Sequence, residues 1–272
     1  MLNKTLMTVL IGVAAIVGSS AAPRADEPYI PLISKGFQHQ FWQAVKLGAE
    51  QAAKKLNVKI TFEGPETEAM VDKQIDMLAA DLAKHPNAIG FAALDSKAAI
   101  PYLQKAQAEH ILVIAFDSGV DSDIPLTTCA TDNIAATEKH PNIKIVSIQY
   151  GGGDHLKSAE ITKAILQANP NLKGIFGANE GSAIGVLIGV KELKRKLAVV
   201  GYDSGQDQIN AIKSGEEAGA ITQNPIGIGS CVVESAVKAL HGEKLPKVID
   251  TGFYYYDKSN IDDPNIAAVL YK

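Results

Sequence analysis

The chain has 272 residues, of which 46% are hydrophobic, 21% charged and 6% aromatic. That mixture can bury a core, which excludes a disordered or fibrous protein. With 26 basic against 30 acidic residues and a formal net charge of −4, there is no surplus of positive charge for sequence-independent phosphate binding, and nucleic acid is not an expected partner. Arg24 and Arg195 are the only arginines, leaving few planar forks for bidentate recognition of carboxylate or phosphate.

Residues 1–25 run from a basic start at Lys4 through an apolar stretch, Leu6 to Val17, to the small residues Gly18, Ser19, Ser20, Ala21 and Ala22. This three-part layout reads as a secretory signal peptide, cleaved after Ala22 or Ala25. The apolar run is shorter than the roughly 20 residues a membrane-spanning helix needs. An exported protein of a bacterial periplasm is therefore expected. Cys129 and Cys231 lie far from the cleavage region, so neither serves lipid attachment. Export permits a disulfide between them, but Cys129 ends an extended stretch and Cys231 sits in a helical pattern, which leads us to expect two buried thiols.

Without the signal, about 247 residues remain, the size of two modest lobes. Tyr29 to Ile33 is a short apolar run. From Trp42, apolar or small residues recur at Val45, Ala49, Ala52, Ala53 and Leu56, the spacing of a helix. Lys59 to Phe62 reads as a strand, and Val71, Ile75, Leu78 and Leu82 mark one face of a second helix. Ala88 to Ala92 and Leu112 to Phe116 read as buried strands flanking a helix near Ser96 to Glu109. The second half repeats the scheme, with strands expected at Ile143 to Gln149, Gly174 to Gly177, Ala198 to Val200 and Gly219 to Thr222. Helices are expected at Leu156 to Ala168, Ser182 to Leu193, Asp207 to Ser214 and Ile228 to Leu240, the last stopping at Gly242. Such alternation implies an α/β protein whose parallel sheets carry helices on both faces.

In parallel α/β sheets the loops after the strands gather at one end, where ligands bind. The polar residues there are Ser34 to Trp42, Asp117 and Ser118, Asn179 and Glu180, Asp203 and Ser204, and Gln223 and Asn224. The histidines at 85, 110, 140, 155 and 241 lack metal-ligand spacing, so no metal site and no cofactor are expected. The segment GGGDHLKS at Gly151 to Ser158 lacks the glycine before lysine that a phosphate loop needs, and reads as a flexible loop at the rim of a cleft. Tyr254, Tyr255 and Tyr256 are expected to pack.

These residues fall in a familiar order: Ser34, His39, Phe41 and Trp42 after the first strand, VIAFDS ending at Asp117 and Ser118, TDN at Thr131 to Asn133, then GANEGSAIG, VVGYDSG and GAITQNPIGIG. The chain resembles, over nearly its whole mature length, a type I periplasmic substrate-binding protein of the ribose-binding group. The resemblance implies two doubly wound lobes, 26–131 plus 224–251 and 132–223 plus 252–272. Three hinge crossings near Thr131, Gln223 and Thr251 would join them, and the lobes would close on one sugar. It also implies ligand-binding roles for Ser34, His39, Phe41, Trp42, Asp117, Ser118, Asn179, Asp203 and Gln223. The aromatics would cover a sugar face, His39 would stand where the ribose-type motif often has Asn, and Asp117, Asn179, Asp203 and Gln223 would take hydroxyls. The chemistry agrees, since sugars offer apolar C–H faces for stacking and hydroxyls that carboxylates and amides bind directionally.

The chain departs from the family pattern after TDNIAAT, where it passes almost directly to EKHPNIKIV. The gap is roughly 40 residues, about one βαβ-type unit, and it takes away the loop that carries the family's cleft arginine. A truncated second lobe with exposed apolar surface and an unpaired sheet edge is expected. The implied function is capture of a monosaccharide or related polyol for an ABC importer, with its permease and ATPase as partners and the binding protein a monomer. The alternatives are a sugar sensor for a chemoreceptor or histidine kinase, and a remnant that no longer binds. An enzyme using Asp117 and Asp203 as paired carboxylates is not expected, because no base, nucleophile and orienting partner assemble from local motifs. A repressor-like regulator is not expected either, since an export signal stands where a DNA-binding headpiece would be.

Overall fold

The computed structural model describes residues 27–131 and 144–271. The proposed signal peptide and the junction where the family pattern is interrupted lie outside the described residues. The order of elements is β1 (Tyr29–Ile33), α1 (Gln40–Leu56), β2 (Lys59–Glu63), α2 (Val71–Leu82), β3 (Ala88–Phe91), α3 (Ile100–Ala108), β4 (Leu112–Phe116), β5 (Thr128–Ala130), α4 (His155–Ala168), β6 (Gly174–Phe176), α5 (Glu180–Glu192), β7 (Ala198–Tyr202), α6 (Gln206–Ser214), β8 (Gly219–Gln223), α7 (Pro225–Leu240), β9 (Val248–Asp250), β10 (Phe253–Tyr256) and α8 (Pro264–Ala267). None of these helices is long and apolar enough to cross a membrane.

The strands form two sheets. The first, in the order β2-β1-β3-β4-β5-β9, is parallel throughout. Continuous apolar runs such as LVIAF and AIGF suit it, because helices cover both faces. On one face Ile30, Leu32, Ile114 and Phe116 pack with Trp42, Val45 and Ala49 of α1 and with Ile228, Val232 and Ala236 of α7. On the other, Ile33, Ile89, Phe91 and Val113 pack with Leu78 and Leu82 of α2 and Leu103 of α3. Helices α1 and α7 approach closely through two glycines. A Cβ on Gly48 would run into the Ile226 backbone, and one on Gly229 into the Val45 carbonyl.

The second sheet has the order β10-β8-β7-β6. Its members β8, β7 and β6 are parallel, whereas β10 returns antiparallel to β8, with Phe253 opposite Gln223. The tyrosine run lies in that strand, with Tyr256 buried and Tyr254 and Tyr255 exposed, so only Tyr256 packs as expected. Helix α3 begins four residues later than its expected start at Ser96, because the Asp95 carboxylate accepts from the Lys97 and Ala98 backbone N–H groups and holds that stretch in a turn.

Two expectations are overturned. Residues 144–149, the described part of the expected strand Ile143 to Gln149, form no strand. The pattern is strand-like, but a strand needs a neighbour to take its backbone groups. Among the described residues, strand β6 pairs with β7 and with no other strand. Between residues 144–149 and β6 lies a groove of about 1270 Å³, lined by Ile145, Ile148, Ile161, Ile165, Ile175 and Phe176 among others. Ile145, Val146, Ile148, Tyr150 and Phe176 are exposed around it. The second correction concerns the cysteines. They are a disulfide and not two thiols, with Cα atoms 6.0 Å apart. Although they come from a strand and a helix, α7 lies across the first sheet and brings Cys231 over Cys129 of β5. The bond closes the whole excursion of the chain through β6, β7 and β8.

Candidate functional site

The passages between the sheets are tied to one another. Thr131 Oγ1, just past β5, donates to Gln223 Oε1 at the end of β8 (2.9 Å). Asn224 Nδ2 donates to the Thr251 carbonyl (3.2 Å), and the Thr251 N–H donates to the Ala130 carbonyl (3.0 Å). Beside this junction lies a cavity of about 360 Å³, towards the small end of the ~300–1,000 Å³ usual for small-molecule sites.

From the first sheet, β4 delivers Asp117 in a left-handed conformation (φ 58°), its N–H donated to the Cys129 carbonyl at 2.9 Å. From the second, β7 delivers Asp203 in the same way (φ 77°), its N–H donated to the Ile221 carbonyl at 2.7 Å. Aspartate tolerates this conformation better than most residues, and in both cases the bend turns a carboxylate out of a strand end into the cavity.

The two carboxylates have different surroundings. Asp117 Oδ2 lies 2.9 Å from Lys35 Nζ and accepts from Ser118 Oγ (2.8 Å), while Lys35 Nζ also donates to Ser118 Oγ (3.0 Å). Burial alone would lower the Lys35 ammonium, but Asp117, Glu68 and Asp203 outweigh it and hold it above its ordinary range. Asp203 Oδ1 accepts from Gln223 Nε2 (2.8 Å) and Oδ2 from the Glu180 N–H (3.0 Å). Burial nevertheless pushes its carboxyl up to about 7, with Asp117 adding repulsion.

The aromatic wall comes from the start of α1. Trp42 and Phe41 meet edge to face with centroids 4.9 Å apart, Trp42 packs in the same manner on Phe116, and Lys35 Nζ stands 5.7 Å from the centre of the indole. The indole N–H donates to Glu68 Oε1 (2.9 Å). Both rings line the cavity while belonging to the first core, so packing and exposure to a ligand are combined in the same side chains. His39 also lines it, its imidazole pushed below the usual range by burial against the opposing pull of Glu68.

Of the residues singled out by sequence, the cavity gathers His39, Phe41, Trp42, Asp117, Ser118, Asn179, Asp203 and Gln223. Ser34 is not among them. Its buried hydroxyl donates to the Gly36 and Glu63 carbonyls and fixes the turn out of β1. Asn179 also caps α5, accepting the Ser182 N–H at 2.8 Å. Lys35, Glu68, Phe176, Ala178, Tyr202 and Ile221 complete the lining; Lys35 lies within the strand-end stretch Ser34 to Trp42, and none of the six was assigned a ligand-binding role from sequence. The strand-end rule covers the loop after β2 as well as the others, and applying it there finds Glu68. The glycine loop reaches the rim as read: a Cβ on Gly153 would lie 2.7 Å from Glu68 Oε2. Among the described residues no cluster of histidine, cysteine or carboxylate side chains is arranged to hold a metal ion.

The family described as "Periplasmic binding protein domain" matches residues 30–139 and 128–244. A ribose import binding protein of Haemophilus influenzae is 28% identical over 279 aligned residues, covering 87% of this chain and 92% of the relative. Among solved structures, an ABC transporter solute binding protein from Agrobacterium vitis with bound D-fucose superposes with a TM-score of 0.83 at 30% identity, covering 89% of this chain and all of the other. A second from the same organism, bound with α-D-tagatopyranose, gives 0.85 at 28% identity over 90% of this chain and all of the other.

Proposed function

The chain belongs to the periplasmic binding protein family, as a type I protein of the ribose-binding group, and on that premise we propose that it captures an uncharged monosaccharide or related polyol between its two lobes and delivers it to an ABC permease. The observation that carries this reading is the convergence of Asp117 and Asp203, from strand ends of two different sheets, on one cavity walled by Phe41 and Trp42. An aromatic wall suits the C–H face of a sugar ring, and carboxylates and amides suit hydroxyls. The one ammonium in the lining, Lys35, is paired with Asp117, which favours a neutral ligand over an anionic one.

In this reading the lobes are 26–131 plus 224–251 and 132–223 plus 252–272, and the tied passages at Thr131, Gln223 and Thr251 are the hinge. A ligand contacting both lobes stabilises the closed arrangement by its difference in affinity for closed and open forms. Ser118, His39, Asn179 and Gln223 supply hydroxyl contacts, Ser34 acts only by shaping the loop that carries Lys35 and His39, and residues 1–25 direct the chain to the periplasm. Thermal melting of the purified mature chain against a panel of pentoses, hexoses and polyols tests the proposal. A sugar that binds only the folded form raises the midpoint, and above its dissociation constant the rise grows with the logarithm of its concentration. A cooperative melt that no sugar moves would refute it.

A further inference from the structure

Two helices that meet across the cleft lack caps of their own. Helix α1 starts at Gln40, and its N-cap His39 makes no side-chain hydrogen bond to the helix; the His39 Nε2 lies instead 2.8 Å from the Gln38 amide. Helix α6 starts at Gln206 behind Gly205, which has no side chain to cap with. The first N–H groups of any helix have no partner within it and need one from elsewhere. Here each helix is served by the other lobe. The Gln40 and Phe41 backbone N–H groups donate to the carboxylate of Glu180, with Phe41 N 3.4 Å from Oε2. In return the Gln206 backbone N–H donates to Gln40 Oε1 at 2.8 Å. Gln38 Nε2 adds a long bond to the Gly153 carbonyl (3.4 Å). None of Gln38, Gln40, Glu180 and Gln206 lines the cavity.

We propose that Glu180 and Gln40 form a reciprocal clasp, each capping a helix of the opposite lobe, that sets the balance between open and closed lobes independently of contacts to the ligand. The proposal builds on the two-lobed capture mechanism above. Every bond in the clasp joins one lobe to the other, so opening the cleft breaks all of them and returns three helix-terminal N–H groups, the Glu180 carboxylate and the Gln40 side-chain amide to water. A carboxylate at a helix N-terminus is also favoured by the partial positive charge there. The site is tightly shaped: a Cβ on Gly205 would lie 2.8 Å from Glu180 Cδ. Burial pushes the Glu180 carboxyl up to about 7, against the two backbone N–H groups, with Asp207 and Glu68 adding repulsion; Asp203, Tyr256 and Tyr271 face it from its own lobe and the C-terminal segment. An amide at this position keeps an acceptor oxygen without a charge to bury, so Glu180→Gln should retain the clasp and Glu180→Ala should lose it. Both residues are positioning residues, acting on the ligand only through closure.

The test is the radius of gyration of the sugar-free mature protein by small-angle scattering, with melting curves to establish folding, for wild type, Glu180→Ala, Glu180→Gln, Gln40→Ala and Gly205→Ala. The expected result is a larger radius for Glu180→Ala, Gln40→Ala and Gly205→Ala, and a near wild-type radius for Glu180→Gln. With the sugar found by the melting panel, Glu180→Ala should dissociate about tenfold faster, with little change in association rate. A folded Glu180→Ala with wild-type radius and wild-type dissociation rate would overturn the clasp. Should no sugar bind the wild type, capture itself fails, and the scattering arm alone still decides the clasp.

Discussion

The disulfide makes the sharpest stability prediction. Cys129 and Cys231 are separated by 102 positions, and the loop they close contains α4 to β8, nearly the whole second lobe. In the chain-entropy description a cross-link closing about 100 residues removes unfolded-state freedom equivalent to ~4.7 kcal/mol at 25 °C. Cys129 is fully buried, and Ser235 Oγ lies 3.7 Å from its sulfur, so loss of packing adds to the effect of a double replacement by alanine. We expect Cys129→Ala with Cys231→Ala to destabilise the protein by about 5 kcal/mol, and reduction of the wild type to give most of that loss. The chain has one tryptophan, Trp42, buried in the first core beside the cavity. Its fluorescence therefore reports denaturant unfolding without labels. Equal midpoints with and without reductant, or two titratable thiols in the unreduced denatured protein, would refute the reasoning.

Further outcomes follow from other features. Glu217 is 1% exposed, and burial, partly offset by Gln208, pushes its carboxyl up from 4.5 to about 7. The folded state thus holds this proton longer than the unfolded state, and stability falls as pH rises from about 4.5 to 7 by about 3 kcal/mol from this group alone. Glu217→Gln should flatten that part of the stability profile and raise the melting midpoint at pH 8; an unchanged slope would contradict the assignment. Asp203 and Glu180 contribute with the same sign, so acidification from pH 8 to 6 should stabilise the wild type. At the open side of the second sheet, Ile148→Lys places a charge on an exposed apolar edge and should reduce concentration-dependent aggregation without lowering the melting midpoint, as light scattering would show.

The sequence showed clearly those elements whose residues pack on a neighbour supplied by the same repeating unit. Trp42, Val45, Ala49 and Ala52 announce α1 because the helix has a sheet to bury them against, and LVIAF announces β4 because it is covered on both faces. A sequence pattern misleads at residues 144–149, where it is that of a strand but no strand among the described residues pairs with it. Cys129 and Cys231 were misjudged for a related reason: their local settings say nothing of how α7 lies across β5. In the cavity, the strand-end rule reached Asp117, Asn179, Asp203 and Gln223. It could not show that Lys35 pairs with Asp117, or that Glu68 accepts a hydrogen bond from the Trp42 indole N–H, because those contacts join segments 82 and 26 residues apart in the sequence and are fixed only by folding.

Calorimetric titration of the mature protein with the sugar selected by melting, alongside Asp117→Ala and Asp203→Ala variants first shown to be folded, bears most directly on capture between two lobes. One sugar per chain is expected for the wild type, with affinity falling at least tenfold in each variant because each removes hydroxyl contacts contributed by one lobe. Binding that survives loss of either aspartate, or no heat from any sugar in a folded wild type, would contradict it.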